Sequence, residues 1–572
     1  NEFRFQYAKS IIRIKSSINS ASGVSVTING MANFGPSPMI GSQPTDESTM
    51  QLQNAVTRVF QKHSWKIGGG VNLIHDNRGS PVTANYTFGS IADYRAAVSG
   101  PDRRTYLTYD ETFGNNAVSQ RSKFLNLFIQ DYWDVSTRLK IALGLRYDLF
   151  HPPAADPASP LVVSRKFNLD KNNLAPRLGV TYLLRDGKYR TVIRAGSGLY
   201  YDAPFLDVYR RAVINNGSLR FFKFSFQPGS PGAPEFPHTL GLLPAGTDPV
   251  RQDIDAVSPD FATLFAMHSN FQIEQSLAEN WSFTAGYLHT SGRHIPVYSN
   301  VNCRPIGGTL ADGRPLFGTV SINAGEVKIS GCTLRIAPEF QRIMMAESVG
   351  NSNYNALFLQ LTKRLASGFQ LNASYTLARA RDDAPEQNVP GPLSVSDPSN
   401  RSFDRGTSVS DVRHTLALSM VLRPKFSLAN GILRELLNHN QIGLIALANS
   451  GETFNITTVD LNRDGVSNSD RPVGIGRNAG RLPAFYNLDA RISRFFSLLR
   501  DVSLELYAEG TNMLNRKSVF SYDSTRLTGN NLNTSQVNPL TGEIRGSLPD
   551  FKTLSVTYQG SRQLQFGIKF HF

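Results

Sequence analysis

Arg138-Leu-Lys-Ile-Ala-Leu-Gly-Leu-Arg-Tyr-Asp-Leu149 decides the fold. Leu139, Ile141, Leu143, Leu145, Tyr147 and Leu149 share one side of an extended chain, and Arg138, Lys140, Ala142, Gly144, Arg146 and Asp148 share the other. Strand side chains alternate between faces with period two, whereas a helix would scatter this pattern around its circumference. Charged residues aimed into a dry sandwich core would be costly. They are acceptable in a watery lumen with hydrocarbon on the other side, which is the arrangement of a membrane barrel. The preceding arm matches: Leu125, Leu127 and Ile129 oppose Asn126, Phe128 and Gln130, and Asp134-Val-Ser-Thr137 makes the turn.

Outward from this hairpin the pattern recurs. Leu178, Val180, Tyr182 and Leu184 alternate with polar or small residues, and after Arg185-Asp-Gly187 a second arm runs to Tyr201. Phe369, Leu371, Ala373, Tyr375 and Leu377 oppose Gln370, Asn372, Ser374 and Thr376. The chain ends on Gln563-Leu-Gln-Phe-Gly-Ile-Lys-Phe-His-Phe572, alternating to the last residue. We read about 16 strands, each near the ~9–11 residues that cross a bilayer when tilted. Tight turns alternate with long connections rich in Pro, Gly, Asn and Ser at 152–173, 228–259, 300–351, 382–410 and 522–550. Short turns at one rim and long loops at the other follow the membrane-barrel plan, with the long loops outside the cell. Short helices are expected at 90–98 and 204–214 as loop decoration. Tyr132, Trp133, Tyr147, Phe150, Tyr200, Tyr201, Trp281 and Tyr287 fall near strand ends, as girdle residues do; ordinary β-propensity of aromatics is the alternative.

Composition narrows the class. Of 572 residues only 18% are charged and 10% are aromatic, against about a quarter charged in a typical soluble protein. A single soluble core stops growing near ~250–300 residues. Mean hydropathy is -0.25, and no apolar run approaches the ~18–20 residues of a membrane helix. Alternation hides a barrel from such averaging. The net charge of +14 suits a basic lumen or attraction to anionic lipid phosphates. Lys and Arg are scattered, with no basic tract interleaved with stacking aromatics, so nucleic acid is not an expected partner. The chain opens on strand-like Glu2-Phe-Arg-Phe-Gln-Tyr7 without Met or a signal segment, which leads us to expect a larger parent protein.

Two local features bear on sites. Asp460-Leu-Asn-Arg-Asp-Gly-Val-Ser-Asn-Ser-Asp470 matches the first half of the calcium loop D-x-[DN]-x-[DN]-G. Asp460, Asn462 and Asp464 would give side-chain oxygens, Val466 its carbonyl and Asp470 a final carboxylate, as a hard cation needs. Asp470 falls at loop position 11 where an EF-hand has Glu at 12, and the competing reading is an Asx-rich turn without metal. Cys303 and Cys332 share one Gly-rich segment; in an oxidising compartment they would pair, and two unpaired thiols is the alternative. On the polar face, Glu505, Tyr507 and Glu509 are expected near Arg491 on a neighbouring strand. Catalysis finds little support. The ten His are dispersed, H-E-x-x-H and G-x-S-x-G are absent, and Asp382, Asp383, Asp411 and His414 read as solvated rim charge. Gly68-Gly-Gly70 reads as small residues in a crowded strand.

Several segments together resemble the barrel of TonB-dependent outer-membrane receptors, most of all the Oar-like subgroup. They are Phe128-Ile-Gln-Asp-Tyr-Trp133 with Leu143-Gly-Leu-Arg-Tyr-Asp148, Leu174-Ala-Pro-Arg-Leu-Gly179, Thr191-Val-Ile-Arg-Ala-Gly196 with Leu199-Tyr-Tyr-Asp202, Ser410-Asp-Val-Arg-His414, Phe485-Tyr-Asn-Leu-Asp489 and Thr511-Asn-Met-Leu-Asn515. The resemblance runs from near Asn1 to Phe572. It implies an all-β fold, the C-terminal majority of a 22-stranded antiparallel transmembrane barrel with long extracellular loops, in the outer membrane of a Gram-negative-type bacterium. It implies ligand uptake energised by the TonB complex, a lumen plug domain, lipopolysaccharide as a neighbour, and Phe570 and Phe572 as a signal to the barrel assembly machinery. Neither a plug nor a TonB box stands in 1–572, and the first strands are also missing from the family pattern, so import is expected of the parent. An adhesion or surface-assembly protein is the alternative. No motif names the ligand.

Overall fold

The structure is a computed structural model. It describes all residues except 14–23, 30, 36–44, 80–82, 116, 245–250, 324–325, 330, 385–394, 428, 457, 459, 467–469, 500–501 and 523–555. One sheet of 18 strands dominates it. Two members, Gln252–Val257 and Gly406–Thr407, are short additions. The other sixteen form an antiparallel meander in chain order: β1 Glu2–Ile12, β2 Thr45–Phe60, β3 His63–Gly79, β4 Ala117–Asp134, β5 Leu139–His151, β6 Leu174–Arg185, β7 Thr191–Tyr201, β8 Phe265–Ala278, β9 Trp281–Asn300, β10 Phe340–Ala366, β11 Phe369–Asp382, β12 His414–Leu422, β13 Asn440–Asn449, β14 Phe485–Leu499, β15 Val502–Thr511 and β16 Gln563–His571. Among the described residues β1 pairs only with β2 and β16 only with β15.

The faces are those of a membrane barrel. In β4 and β5, Leu127 is 65% exposed and Leu143 and Leu145 are exposed, while Asn126 and Asp148 are 5% and 2% exposed. Asn126 pairs with Asp148 and Leu127 with Tyr147, so register keeps like with like. At the other end of the sheet Ile492, Leu506 and Phe566 face outward and Ser493 and Glu505 are buried. Apolar residues outside and polar residues inside invert the soluble pattern, as lipid requires. Arg146 donates to Asp148 at 2.9 Å on the inner face. Arg491 donates to Glu505 at 2.8 Å and Glu509 at 3.2 Å, and its guanidinium carbon lies 3.9 Å over the Tyr507 ring. This is the cluster expected from the strand alternation. Gly68 has no room for a Cβ: one would meet Asn54 O at 2.6 Å and Phe128 Cζ at 2.7 Å. Crowding is therefore a sufficient reason for that glycine run.

Connections alternate in length as expected. They are short at 61–62, 135–138, 186–190, 279–280 and 367–368 and long at 80–116, 202–264, 301–339 and 450–484. The connection expected at 522–550 lies, beyond Tyr522, outside the described residues. Two corrections concern the long-loop side. Residues 340–351, which the Pro/Gly-rich composition assigned to a loop, continue strand β10. At 27 residues β10 is far longer than the ~9–11 that cross a bilayer. Its first part pairs with Gln252–Val257 in parallel instead of with β11, because side chains alone cannot report a partner brought in by a distant loop. The second correction is the helix expected at 204–214. After α1 (Ile91–Ser99), α2 (Leu206–Ile214) buries Val208, Tyr209, Ala212, Val213 and Ile214. It is a core element of the loop region, with an apolar side against strand ends, not decoration. Among the described residues no helix is long and apolar enough to cross a membrane.

Candidate ligand-binding mouth

Three bodies built from the long loops sit at the long-loop end. The first is a five-stranded sheet in the order Phe221–Phe226, Thr108–Gly114, Ala84–Phe88, Ser25–Ile28, Ala32–Phe34. Its strands come from three different loops, so none is stable alone, and an aromatic core joins them. Tyr86, Phe88, Tyr106, Tyr109, Phe113, Phe224, Phe226 and Phe236 pack together, with rings meeting edge to face, as Tyr86 and Phe236 do at 5.1 Å. The phenols reach the surrounding chain. Tyr86 donates to His238 O at 2.6 Å, Tyr106 to Pro234 O at 2.7 Å and Tyr109 to Glu111 Oε2 at 2.7 Å. Glu111 also accepts from Leu240 N and Gly241 N, both at 2.9 Å. Burial pushes the Tyr86 and Tyr109 hydroxyls far above the usual phenol range, so they serve as fixed donors.

The second body is α2 with its surroundings. Its buried side packs with Val118 of β4, Phe150 of β5, Tyr298 of β9, Met344 and Ala346 of β10, and Val466. Asp207 opens the helix and pairs with Arg210 at 2.6 Å and Arg211 at 2.8 Å. Burial raises the Asp207 carboxyl, but the two guanidiniums outweigh it and hold it below the usual range.

The third body is a knot around 460–470. Four successive carbonyls of this loop are claimed by other segments: Asn462 O by Phe317 N (2.9 Å), Arg463 O by Cys332 N (2.7 Å), Asp464 O by Asn300 Nδ2 (2.7 Å) and Gly465 O by Arg342 Nη1 (2.9 Å). Asn462 Nδ2 donates to Ser396 O at 2.8 Å. The turn itself uses Arg463 at φ 65 and Gly465 at φ 88, the left-handed region that Gly accepts without strain. Cys303 and Cys332 are disulfide-bonded beside it, Cα to Cα 5.5 Å. Ion pairs lace the same region: Arg314 with Asp470, Arg471 with Asp404, Arg401 with Asp383, Arg477 with Asp382, Arg481 with Asp411. The aspartates 382, 383 and 411 are therefore partners of arginines, not solvated rim charge. Sequence spacing could not show this, because the arginines lie 18 to 95 residues away.

The calcium-type ligands lie inside this knot. Asn462, Asp464, Val466 and Asp470 are buried. Asp460 Oδ2 accepts from Gly465 N at 2.9 Å and Oδ1 from Asp464 N at 3.1 Å. Asp464 Oδ1 accepts from Val466 N at 2.7 Å. Asp470 accepts from Leu461 N at 3.0 Å and Arg314 Nη1 at 3.1 Å. Burial first, then repulsion from Asp460, pushes the Asp464 and Asp470 carboxyls well up. Among the described residues no group of three or more His, Cys, Asp or Glu is set to hold a metal ion. Phe570 and Phe572 close the chain on the short-turn side, both exposed, their rings 6.4 Å apart.

Between the first two bodies lies a cavity of about 820 Å³. Its walls are Phe221–Phe226, the segment from Arg251 to Asp253, Asn215, Gly217 and Gln341, with Asp110 and Thr112 beside them. This is the size of a small-molecule or peptide pocket.

Comparison with known proteins now bears on this architecture. The outer membrane beta barrel domain family matches residues 4–476. The chain belongs to that family. It is accordingly an outer-membrane protein of a Gram-negative-type envelope. Solved structures share the fold at low identity. The outer membrane transporter YddB from Escherichia coli is 12% identical with a TM-score of 0.54, over 99% of this chain and 59% of that one. A mutant form of the ferric enterobactin receptor PfeA from Pseudomonas aeruginosa is 10% identical with a TM-score of 0.50, over 100% of this chain and 58% of that one. The chain thus spans about three fifths of those proteins. No curated protein matches it.

Proposed function

We propose that this chain is the barrel portion of an outer-membrane receptor that captures a ligand at its loop-built mouth and, in the parent protein, imports it with TonB and a lumen plug. The observation that carries the reading is an outward-apolar barrel capped by interlocked loops that form a half-open cavity of about 820 Å³. The likeness in fold to an outer membrane transporter and a ferric enterobactin receptor supports it, as do the motifs that resemble the Oar-like subgroup. Assignment of 1–572 to the barrel is supported by its one dominant antiparallel sheet, in whose described residues β1 pairs only with β2 and β16 only with β15. No catalytic role is assigned. A calcium ion at Asp460, Asn462, Asp464, Val466 and Asp470 is a further proposal. Its support is three crowded carboxylates, two of them (Asp464 and Asp470) buried, of the hard-oxygen chemistry calcium takes; the ion would have to displace the backbone donors they now accept from. Melting the protein with calcium and with chelator tests it: equal melting removes the ion from the account.

The receptor reading is tested in cells that produce the parent protein. Outer-membrane fractionation, heat-modifiable migration and cross-linking to TonB are expected. A protein that fractionates without detergent as soluble sinks the reading. A barrel in the outer membrane that never cross-links to TonB turns it toward adhesion or surface assembly.

A further inference from the structure

The geometry points to an extended acidic peptide as the ligand of the mouth cavity, bound by strand addition to the free edge of Phe221–Phe226; this deepens the receptor reading and rests on it. The Phe221–Phe226 strand is the outermost member of the five-stranded sheet, paired on one side only, with Thr108–Gly114. Asn115 N donates to Arg220 O at 2.7 Å on the paired side. Antiparallel alternation then turns the N–H and C=O groups of Phe222, Phe224 and Phe226 toward the sheet, and those of Phe221, Lys223 and Ser225 toward the free side. Among the described residues no backbone hydrogen bond reaches these three on that side. All six residues of the strand line the cavity, so the strand that carries the open edge borders it along its whole length. A row of donors and acceptors at strand spacing is matched by another extended peptide, and a compact small molecule cannot follow it.

Natural sheets blunt such edges, often with a lysine. Lys223 stands here, but Asp110 holds its ammonium at 3.3 Å, so the charge is neutralised against the sheet. The other charges on the wall are also paired: Asp253 with Arg342. Arg251 is the exception. It is exposed, lines the cavity and has no ion-pair partner among the described residues. A guanidinium presents a fork that fits a carboxylate. The peptide that suits the cavity is therefore extended, free of proline in its paired stretch, and carries Glu, Asp or a terminal carboxylate beside Arg251.

The test uses the whole chain, purified in detergent, and fluorescence anisotropy with a fluorescein-labelled Thr-Val-Thr-Val-Thr-Val-Glu-Glu peptide. Two relatives serve as controls: the same peptide with alternate backbone nitrogens methylated, and one ending in Lys-Lys. Saturable binding is expected, weakened at least roughly tenfold by N-methylation and by Ser225→Pro, which removes an edge donor. Arg251→Glu should reverse the preference from the Glu-ended to the Lys-ended peptide. No binding of the unmethylated peptide, or equal binding of its methylated form, overturns the proposal. Should Ser225→Pro fail to fold, Arg251→Glu decides: an unchanged preference overturns the acidic assignment. Heat-modifiable migration and outer-membrane fractionation are read on the same protein. If those hold and the peptide fails, only the ligand class falls; if those fail, the receptor reading falls first.

Discussion

Arg314 is the side chain whose loss should open the loop knot. It is 2% exposed, and Asp470, its partner at 3.1 Å, is 0% exposed. Its guanidinium also pairs with Asp312 at 2.9 Å and donates to Arg471 O at 2.8 Å. Arg314→Met would remove these donors and strand a buried Asp470 whose charged form burial already disfavours. Truncating one partner of a buried ion pair costs about 3–5 kcal/mol. Leu461 N, which donates to Asp470 Oδ2, and Cys332 N, which donates to Arg463 O, report on the same unit. If local opening limits their exchange, 3–5 kcal/mol corresponds to amide hydrogen exchange faster by roughly 150- to 5,000-fold. Amides of β4 and β5, paired within the barrel wall, should not change. A double-mutant cycle with Asp470→Asn should recover much of the loss, because the stranded charge is then gone. Exchange at Leu461 and Cys332 within threefold of the parent, or strictly additive effects of the two substitutions, would refute the account of the knot as a unit held by this pair.

Other consequences follow from the same geometry. Leu145→Arg, on the outer face of β5, should cost about 2–4 kcal/mol if it sits near the bilayer midplane, measured by refolding into lipid vesicles; Asn372→Leu on the polar face of β11 should cost far less. Gly68→Val should block or shift the pairing of β3 with β2 and β4, since its Cβ would meet backbone at 2.6 Å, and the yield of heat-modifiable barrel should fall. Asp207 titrates below its ordinary range, so its contribution to α2 is present above about pH 4 and is lost as pH falls through its folded pKa; exchange within 206–214, taken relative to the intrinsic rate, should speed up as pH falls through that step, and Asp207→Asn should remove it. Phe572→Ala should lower the amount of assembled protein in the outer membrane without changing the melting of the fraction that assembles.

The barrel wall was legible because its physics is local. Alternation along Leu139–Leu149 states which face meets hydrocarbon, and the register of Asn126 with Asp148 and Leu127 with Tyr147 follows once both arms alternate in phase. The Arg491 cluster was legible for the same reason, since Glu505 and Glu509 lie on one face and Arg491 on the next strand. The mouth was not legible, because its physics is non-local. Phe221–Phe226 is not read as a strand from the sequence, and nothing in it names Thr108–Gly114 as its partner or leaves its other edge open. Arg314 and Asp470 are separated by 156 positions, and each alone looks like an ordinary loop charge.

The D-x-N-x-D-G motif shows how little composition says where loops interlock. The residues that suit a calcium loop also suit a turn, because short Asp and Asn side chains accept from backbone N–H groups two to five positions on. Asp460 and Asp464 do so here. What lies outside the motif is the set of donors that take its carbonyls: those of Asn462 through Gly465 are given to Phe317, Cys332, Asn300 and Arg342. Those four donors come from the two strands β9 and β10 and the disulfide-closed segment between them. The loop thereby fastens the long strand β10 to its neighbours above the bilayer. In the same stretch β10 holds Gln252–Val257 in parallel, which keeps Arg251 to Asp253 on the wall of the mouth cavity. Fixing the 460–470 loop fixes one wall of the cavity, and the free edge of Phe221–Phe226 is the other.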